Sequence, residues 1–280
     1  MAGSDDARKF YARLMAAQAR SADPRIEQVF ASVPREAFLG PGPWTVFAGD
    51  GRIETPTADP SYIYQNVLVV LDADKAINNG EPLLHAMWLD KVRPKPGEAV
   101  THIGAGTGYY TALLSRLVEP DGSVTAFELE ADLAVRAKAN LARYGNIEVI
   151  HGDAVTSPLP PSDIIYVNAG VVAPPVAWLK ALKPGGRMIF PWRPSETVGI
   201  AVLVTRRHNG FACRPFMGSW FIPCIGASIA EPGAKIPTRE RAARTRSIWL
   251  TAAKTPDRTA TAVFGYVWFS SRVIRTDSAR

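Results

Sequence analysis

A short apolar segment that runs into a glycine cluster and then into a helix restricts this chain more than anything else in it. Residues 98–128 read EAVTHIGAGTGYYTALLSRLVEPDGSVTAFE. Ala99, Val100 and Ile103 lead to Gly104, Gly106 and Gly108, after which Tyr110, Leu113, Leu114, Leu117 and Val118 recur at three and four, one face of a helix. A second β-branched and aromatic run, Val124 to Phe127, ends on Glu128. This is half of a βαβ unit, with an acid about twenty residues past the last glycine, the offset at which a carboxylate reaches ribose hydroxyls. A side chain at Gly104 or Gly106 would stand between the turn backbone and a ligand lying on it. An ordinary tight turn would also use glycine; the strand before, helix after and acid at the next strand end together predict nucleotide-like cofactor binding.

The chain beyond repeats the alternation. A helix over 131–144 stops at Gly145-Asn146, a strand over 147–150 ends in His151-Gly152-Asp153, and a strand over 164–167 precedes a short helix over 174–182. LKPGG then turns into a strand over 187–190. The order predicts a parallel sheet with helices on both faces. Three β-rich runs follow, 197–205, 211–216 and 220–225, with a turn at Asn209-Gly210, and predict an antiparallel edge. The expected fold class is α/β: a doubly wound Rossmann-like sheet, mostly parallel with antiparallel edge strands.

Ahead of this core, Phe10, Leu14 and Ala17 mark a helix over 5–20, and Asp23-Pro24 opens a second over 25–32. From PGPW to Pro60 all periodicity breaks, which predicts a long irregular connection of the kind that forms lids. Residues 62–71 are β-rich, Ile77 to Pro82 is a loop by composition, and 83–92 is helical. Asn79 or Gly80 is the expected cap of that helix, with Pro82 in its first turn.

With 280 residues and 47% hydrophobic content the chain can bury one large core. No apolar run approaches a membrane span, and the N-terminus carries charges where a signal peptide needs an apolar stretch, so a cytoplasmic protein without membrane contact is expected. Cys213 and Cys224 stand in no closely spaced Cys/His set; two reduced, buried thiols and no metal site are expected. The net charge of +6 suits an acidic partner, RNA included. Arg239, Arg241, Arg244 and Arg246 read either as a solvated helix face or as a phosphate-binding patch.

The spacing GAGTG closes one residue earlier than the dinucleotide G-x-G-x-x-G and resembles the S-adenosylmethionine loop of class I methyltransferases. On that resemblance Gly104, Ala105, Gly106, Thr107 and Gly108 form the cofactor loop, and Glu128 with Leu129 meets the ribose end. Asp153 with Ala154 is placed for an adenine amino group, the competing role of Asp153 being to cap its own turn. Asn168-Ala169-Gly170 at the exit of the strand over 164–167 leaves room for a reacting methyl and its acceptor. The Asn/Asp-Pro-Pro-aromatic signature of amino methyltransferases and a Pro-Cys nucleophile are both missing, which points to an oxygen acceptor.

The chain as a whole resembles the protein-L-isoaspartate O-methyltransferases. VPREAF (Val33 to Phe38), Pro82 with His85-Ala86, the glycine loop, Gly152 to Ala154, SDIIYVNAGVVAPPVAWLKALKPGGRMIFP (Ser162 to Pro191) and WFIPCIG (Trp220 to Gly226) carry the likeness in order. The resemblance implies S-adenosylmethionine as cofactor and a peptide or protein isoaspartyl carboxylate as acceptor. It places His85 as a lining residue beside the cofactor pocket and His102 where the family has an acid, and both join Asn168 among the candidate cofactor-binding residues. Along its length the chain divides into an N-terminal helical arm with the acceptor-site loop (1–92), an S-adenosylmethionine-binding core (93–230) and, from a shift in composition at Glu231, a basic extension (231–280). The family's Ser-Gln-Pro or Ser-Ala-Pro, whose serine contacts the substrate carboxylate, reads Gly80-Glu81-Pro82 here. Asn79, Gly80 and Glu81 are therefore the candidate catalytic, acceptor-facing residues: Asn78 and Asn79 bring neutral donors, and Glu81 brings a charge that repels an anion. A carboxyl methyltransferase for a specific peptide or natural-product acid, an RNA methyltransferase and a catalytically silent cofactor-binding homologue are the alternatives.

Overall fold

The computed structural model describes residues 2–49 and 51–274. Met1 and residues 275–280, at the ends of the expected arm and extension, and Asp50 in the expected irregular connection lie outside the described residues. In chain order the elements are α1 (Ala2–Gln18), α2 (Pro24–Ser32), β1 (Thr45–Ala48), β2 (Gly51–Glu54), β3 (Val70–Asp72), β4 (Ile77–Asn78), α3 (Pro82–Val92), β5 (Ala99–Ile103), α4 (Tyr109–Val118), β6 (Ser123–Glu128) and α5 (Ala131–Leu141). They continue with β7 (Ile147–His151), β8 (Ser162–Val167), α6 (Val176–Ala181), β9 (Leu182–Ser195), β10 (Val198–Arg207), β11 (Gly210–Gly218), α7 (Arg239–Ala243), β12 (Ser247–Leu250), β13 (Ala260–Val263) and β14 (Val267–Ser270). They fall into two compact units, Met1–Glu98 with Ala105–Gly152, and Ala99–Gly104 with Asp153–Arg280.

In the first unit β6 and β7 pair in parallel, joined through α5, and Glu128 stands opposite His151 at the strand ends. The expected face of α4 is buried, and so are Tyr109, Thr111 and Ser115, while Arg116 stays exposed. The buried side of α1 differs from the expected one: Tyr11, Ala12, Met15 and Ala19 are inside, while Phe10 is 62% exposed. Tyr11 decides the rotation, because its ring packs 5.8 Å from Phe30 and 5.5 Å from Tyr64. The second helix opens at Asp23-Pro24 as expected, and Asp23 caps it by accepting the Arg25 N–H.

Three local expectations need correction. The stretch from PGPW to Pro60 contains the hairpin β1–β2, paired from Thr45↔Glu54 to Ala48↔Gly51. Most of 62–71 is a 3-10 turn and irregular chain, with strand only at Val70–Asp72, which pairs with Ile77–Asn78. The cap of α3 is Glu81, neither Asn79 nor Gly80, and its side chain makes no capping bond. The orphan N–H of Leu83 is met by Asn66 Oδ1 at 2.8 Å, a partner from outside the helix.

In the second unit β5, β8 and β9 are parallel neighbours, and β10, β11, β12, β14 and β13 extend the sheet antiparallel from β9. LKPGG lies within β9, where the ladder to β8 shifts register between Ser162 and Ile164. The run 220–225 forms no strand; Pro223 makes one isolated bridge to Gly170. The apolar run from Thr261 to Phe269 supplies the facing strands β13 and β14, so the antiparallel edge is longer than expected.

Phe269 ties that edge to the unit, stacked 4.1 Å from Trp192 at 9°, both fully buried. Phe269→Ala is expected to lower stability by about 3–5 kcal/mol through the cavity left on Trp192. A urea unfolding curve reads it, and an unchanged midpoint would mean that the last strands add little to the core. Cys213 and Cys224 are both free and buried. No helix among the described residues is long and apolar enough to cross a membrane.

Candidate functional site

The first unit carries the glycine loop from Ala105 onward, together with Glu128. Gly104, Gly106 and Gly108 all take positive φ. At Gly106 (φ +57°) a Cβ would meet only Leu71 Cδ1 at 3.8 Å, so the backbone face is open to a ligand. Glu128 is 6% exposed. Its Oε2 accepts the Gly106 N–H at 2.6 Å and its Oε1 accepts the Glu130 N–H at 3.0 Å. Burial raises its pKa above the ordinary glutamate value, while the N–H groups of Glu130, Gly106 and Leu129 pull the other way. A carboxylate offers about four lone-pair positions, so capacity remains for hydroxyl donors.

Ala105 is 7% exposed and its N–H is held by Phe127 O at 3.1 Å, which ties the loop to the strand bearing Glu128. The Thr107 hydroxyl is buried without a hydrogen-bond partner among the described residues. Leu129 is 37% exposed. Glu130 is in ion-pair contact with Lys75 from the β3–β4 turn. Leu71 thus lies beside Gly106 and Lys75 reaches Glu130 just past Glu128, two approaches of that hairpin that no motif announced.

The loop Asn78 to Pro82, the candidate for the acceptor side, lies in the same unit. Gly80 has φ +81°, and a Cβ there would stand 2.7 Å from His85 Nε2 and 2.8 Å from Tyr110 Cε2. The His85 and Tyr110 rings stack at 3.5 Å and 18°, forming the floor under Gly80. Tyr110 OH donates to Gly80 O at 3.1 Å, which joins residue 80 to the first turn of the helix that the glycine loop opens. Asn78 Oδ1 accepts the Gly80 N–H at 2.9 Å, the local turn bond expected of a loop asparagine. Glu81 Oε1 accepts from Asn66 Nδ2 at 2.7 Å. Asn79 is 6% exposed, and its Oδ1 accepts from Arg35 Nε at 3.0 Å. Sequence reasoning matched Arg35 only as part of VPREAF and passed over Asn66 altogether; neither signals its partner from its own position.

The second unit carries Gly104, His102, Asp153, Ala154 and Asn168. His102 is fully buried, and burial pushes its pKa down to about 3, so the ring is neutral. Its Nε2 lies 2.9 Å from Asn168 Nδ2 and accepts from it. Asn168 Oδ1 is a buried acceptor without a hydrogen-bond partner among the described residues. A Cβ at Gly104 would touch Asn168 at 3.4–3.5 Å. Asp153 caps its own turn: Oδ1 accepts the Val155 N–H at 2.7 Å and Oδ2 the Thr156 hydroxyl at 3.3 Å. Ala154 O accepts from Trp178 Nε1 at 2.8 Å. In the C-terminal stretch Arg241 and Arg246 hold backbone carbonyls and Arg244 pairs with Glu240, so three of the four arginines have partners within this unit.

The model of the protein-L-isoaspartate(D-aspartate) O-methyltransferase family matches residues 52–228. A Rhodopseudomonas palustris protein-L-isoaspartate O-methyltransferase 1 is 32% identical over 254 residues, covering 85% of this chain and 95% of the relative. A Thermotoga maritima protein-L-isoaspartate O-methyltransferase is 32% identical over 172 residues, 59% of this chain; the match spans half (50%) of that relative's length. A solved protein-L-isoaspartate O-methyltransferase superimposes with a TM-score of 0.65 at 27% identity, covering 77% of this chain and 65% of that one. A Plasmodium falciparum structure in complex with S-adenosyl-L-homocysteine gives a TM-score of 0.62 at 18% identity, covering 78% and 97%, and shares the fold. The fold class is accordingly α/β and Rossmann-like, a parallel sheet with antiparallel edge strands.

Proposed function

The chain belongs to the protein-L-isoaspartate(D-aspartate) O-methyltransferase family, and on that premise we propose that it is an enzyme transferring a methyl group from S-adenosylmethionine to the carboxylate of isoaspartyl residues in damaged peptides and proteins. The observation that carries the reading is the buried Glu128 carboxylate, held by the N–H groups of the glycine loop and of Glu130 with acceptor capacity left over. That arrangement suits two ribose hydroxyls.

When bound, the sulfonium cofactor supplies an electrophilic methyl group. The chain's own part is to bind and align. The backbone of Gly104, Ala105 and Gly106 gives close approach, and Glu128 takes the ribose. Thr107 Oγ1 in the first unit and Asn168 Oδ1 in the second are each buried without a hydrogen-bond partner among the described residues, and each by itself suits a polar group of a ligand. Leu129 stays with Glu128 at the ribose end, Asp153 keeps the adenine amino group as its assignment, and His85, Gly108 and Ala154 stand as further candidate cofactor contacts. A carboxylate acceptor is already ionised at neutral pH, so the reaction needs no general base, and neutral His102 has no proton to take. Holding oxygen, methyl and sulfur in line is worth up to roughly 7–11 kcal/mol. Asn79, Gly80 and Glu81 form the acceptor side. The two free, buried cysteines support a reducing, cytoplasmic setting.

The test is transfer of a labelled methyl group to an isoaspartyl peptide, with the matched aspartyl peptide as control. Selective, base-labile labelling of the isoaspartyl peptide is the expected result. No labelling by protein that binds S-adenosylhomocysteine would remove the acceptor assignment and leave the cofactor.

A further inference from the structure

The acceptor loop is built around a charge that its own sequence does not contain. Arg35 is completely buried. Its Nε donates to Asn79 Oδ1 at 3.0 Å, one terminal nitrogen to Ile63 O at 2.9 Å and Gln65 O at 3.4 Å, and the other to Val67 O at 2.7 Å and Gly80 O at 3.3 Å. Every one of these acceptors is a neutral oxygen, and Arg35 forms no ion pair among the described residues. Burial holds the phenols of Tyr11, Tyr109 and Tyr110 protonated against the opposing pull of this guanidinium, so its aromatic neighbours bring no counter-charge either. Burying a cation without an anion is costly, and a purely structural tie between two loops could be made by neutral groups.

Two consequences fall on the acceptor side. A guanidinium donates only, so Asn79 must turn Oδ1 toward it, and Nδ2 becomes the end that faces any other partner. Nδ2 donates to nothing among the described residues. The same charge also backs Gly80, offsetting the repulsion that Glu81 exerts on an anion.

We propose that Arg35 is the positioning residue of the acceptor site, orienting the Asn79 amide as a neutral donor for the acceptor carboxylate and supplying the buried positive field behind it. This rests on the carboxyl methyltransferase reading. Arg35 acts through Asn79 and touches neither the acceptor nor the cofactor.

The test is a double-mutant cycle on the full chain with Arg35→Gln, Asn79→Ala and the pair, reading KM and kcat for an isoaspartyl peptide and, separately, the Kd for S-adenosylhomocysteine. Each single change is expected to raise the peptide KM about tenfold, the scale of one hydrogen bond to a charged group. The double variant should be little worse than either single one, with cofactor Kd within twofold throughout. Fully additive KM effects, or an unchanged KM in Asn79→Ala, would overturn the proposal. Should Arg35→Gln fail to fold, Asn79→Asp decides: it keeps an acceptor for Arg35 while replacing the donor by an anion, so KM must rise at unchanged cofactor affinity, and an unchanged KM overturns the assignment. Absence of transfer by the wild-type protein removes the function and this inference together, whereas transfer with additive effects removes the inference alone.

Discussion

Glu128→Ala is expected to weaken S-adenosylhomocysteine binding by roughly a hundredfold while leaving the protein folded, as calorimetric titration and a thermal melt would show. The magnitude follows from two hydrogen bonds to one charged group, each worth about 1.5–3 kcal/mol, partly replaced by water in the variant. The fold survives because the wild-type carboxylate is itself costly. Burial raises its pKa, so its contribution to stability is complete below the unfolded-state pKa and is lost as pH rises through the folded-state value. Cofactor affinity runs the opposite way. Protonation turns one acceptor oxygen into a donor, so affinity falls as pH drops through the folded pKa, and that fall starts above the ordinary glutamate range. The Ala variant should show no such slope. Glutamine is no substitute, since both oxygens accept backbone N–H groups and an amide would turn its NH₂ against one of them. Unaltered affinity in Glu128→Ala would take the residue out of the cofactor site.

Gly80→Ser, the change that restores the family's serine, is expected to destabilise the protein by about 2–5 kcal/mol and to raise no activity. Two effects add. The left-handed backbone at φ +81° costs a side-chain-bearing residue about 1–2 kcal/mol, and overpacking against the His85–Tyr110 stack costs about 1–3 kcal/mol. Neither ring can step aside freely: His85 is fully buried, and the Tyr110 hydroxyl is tied to the carbonyl of residue 80. A lowered unfolding temperature with kcat/KM at or below wild type is the expected reading. A stable Gly80→Ser protein with raised kcat/KM would mean that the loop readily adopts another backbone conformation, and that the serine position is open. On the present geometry the glycine belongs to the loop's conformation.

What the sequence by itself determined is the part governed by local periodicity and backbone permission. Strand β5, the glycine turn, helix α4 and strand β6 ending on Glu128 follow from an alternation of apolar spacing and from residues that alone tolerate positive φ, and each of those is a property of adjacent positions. The same holds for β7, β8 and the start of α2 at Asp23-Pro24. Where burial was set by a partner distant in the chain, local pattern misled. Phe10 has the spacing of a buried residue, yet Tyr11 goes inside because Phe30 and Tyr64 are there to receive it. Residues 62–71 have strand composition, but Arg35 draws the carbonyls of Ile63, Gln65 and Val67 onto one guanidinium, and a chain clamped in that way makes no ladder. Likewise the cap of α3 is completed by Asn66 from outside the helix. Tertiary structure alone decided the loop Asn78 to Pro82: that Gly80 has no room for a side chain, that Glu81 is held by Asn66, and that Asn79 is oriented by a cation 44 residues away in sequence. The physical reason is common to all three, because a hydrogen bond or a steric floor between distant residues leaves no periodic trace in either segment.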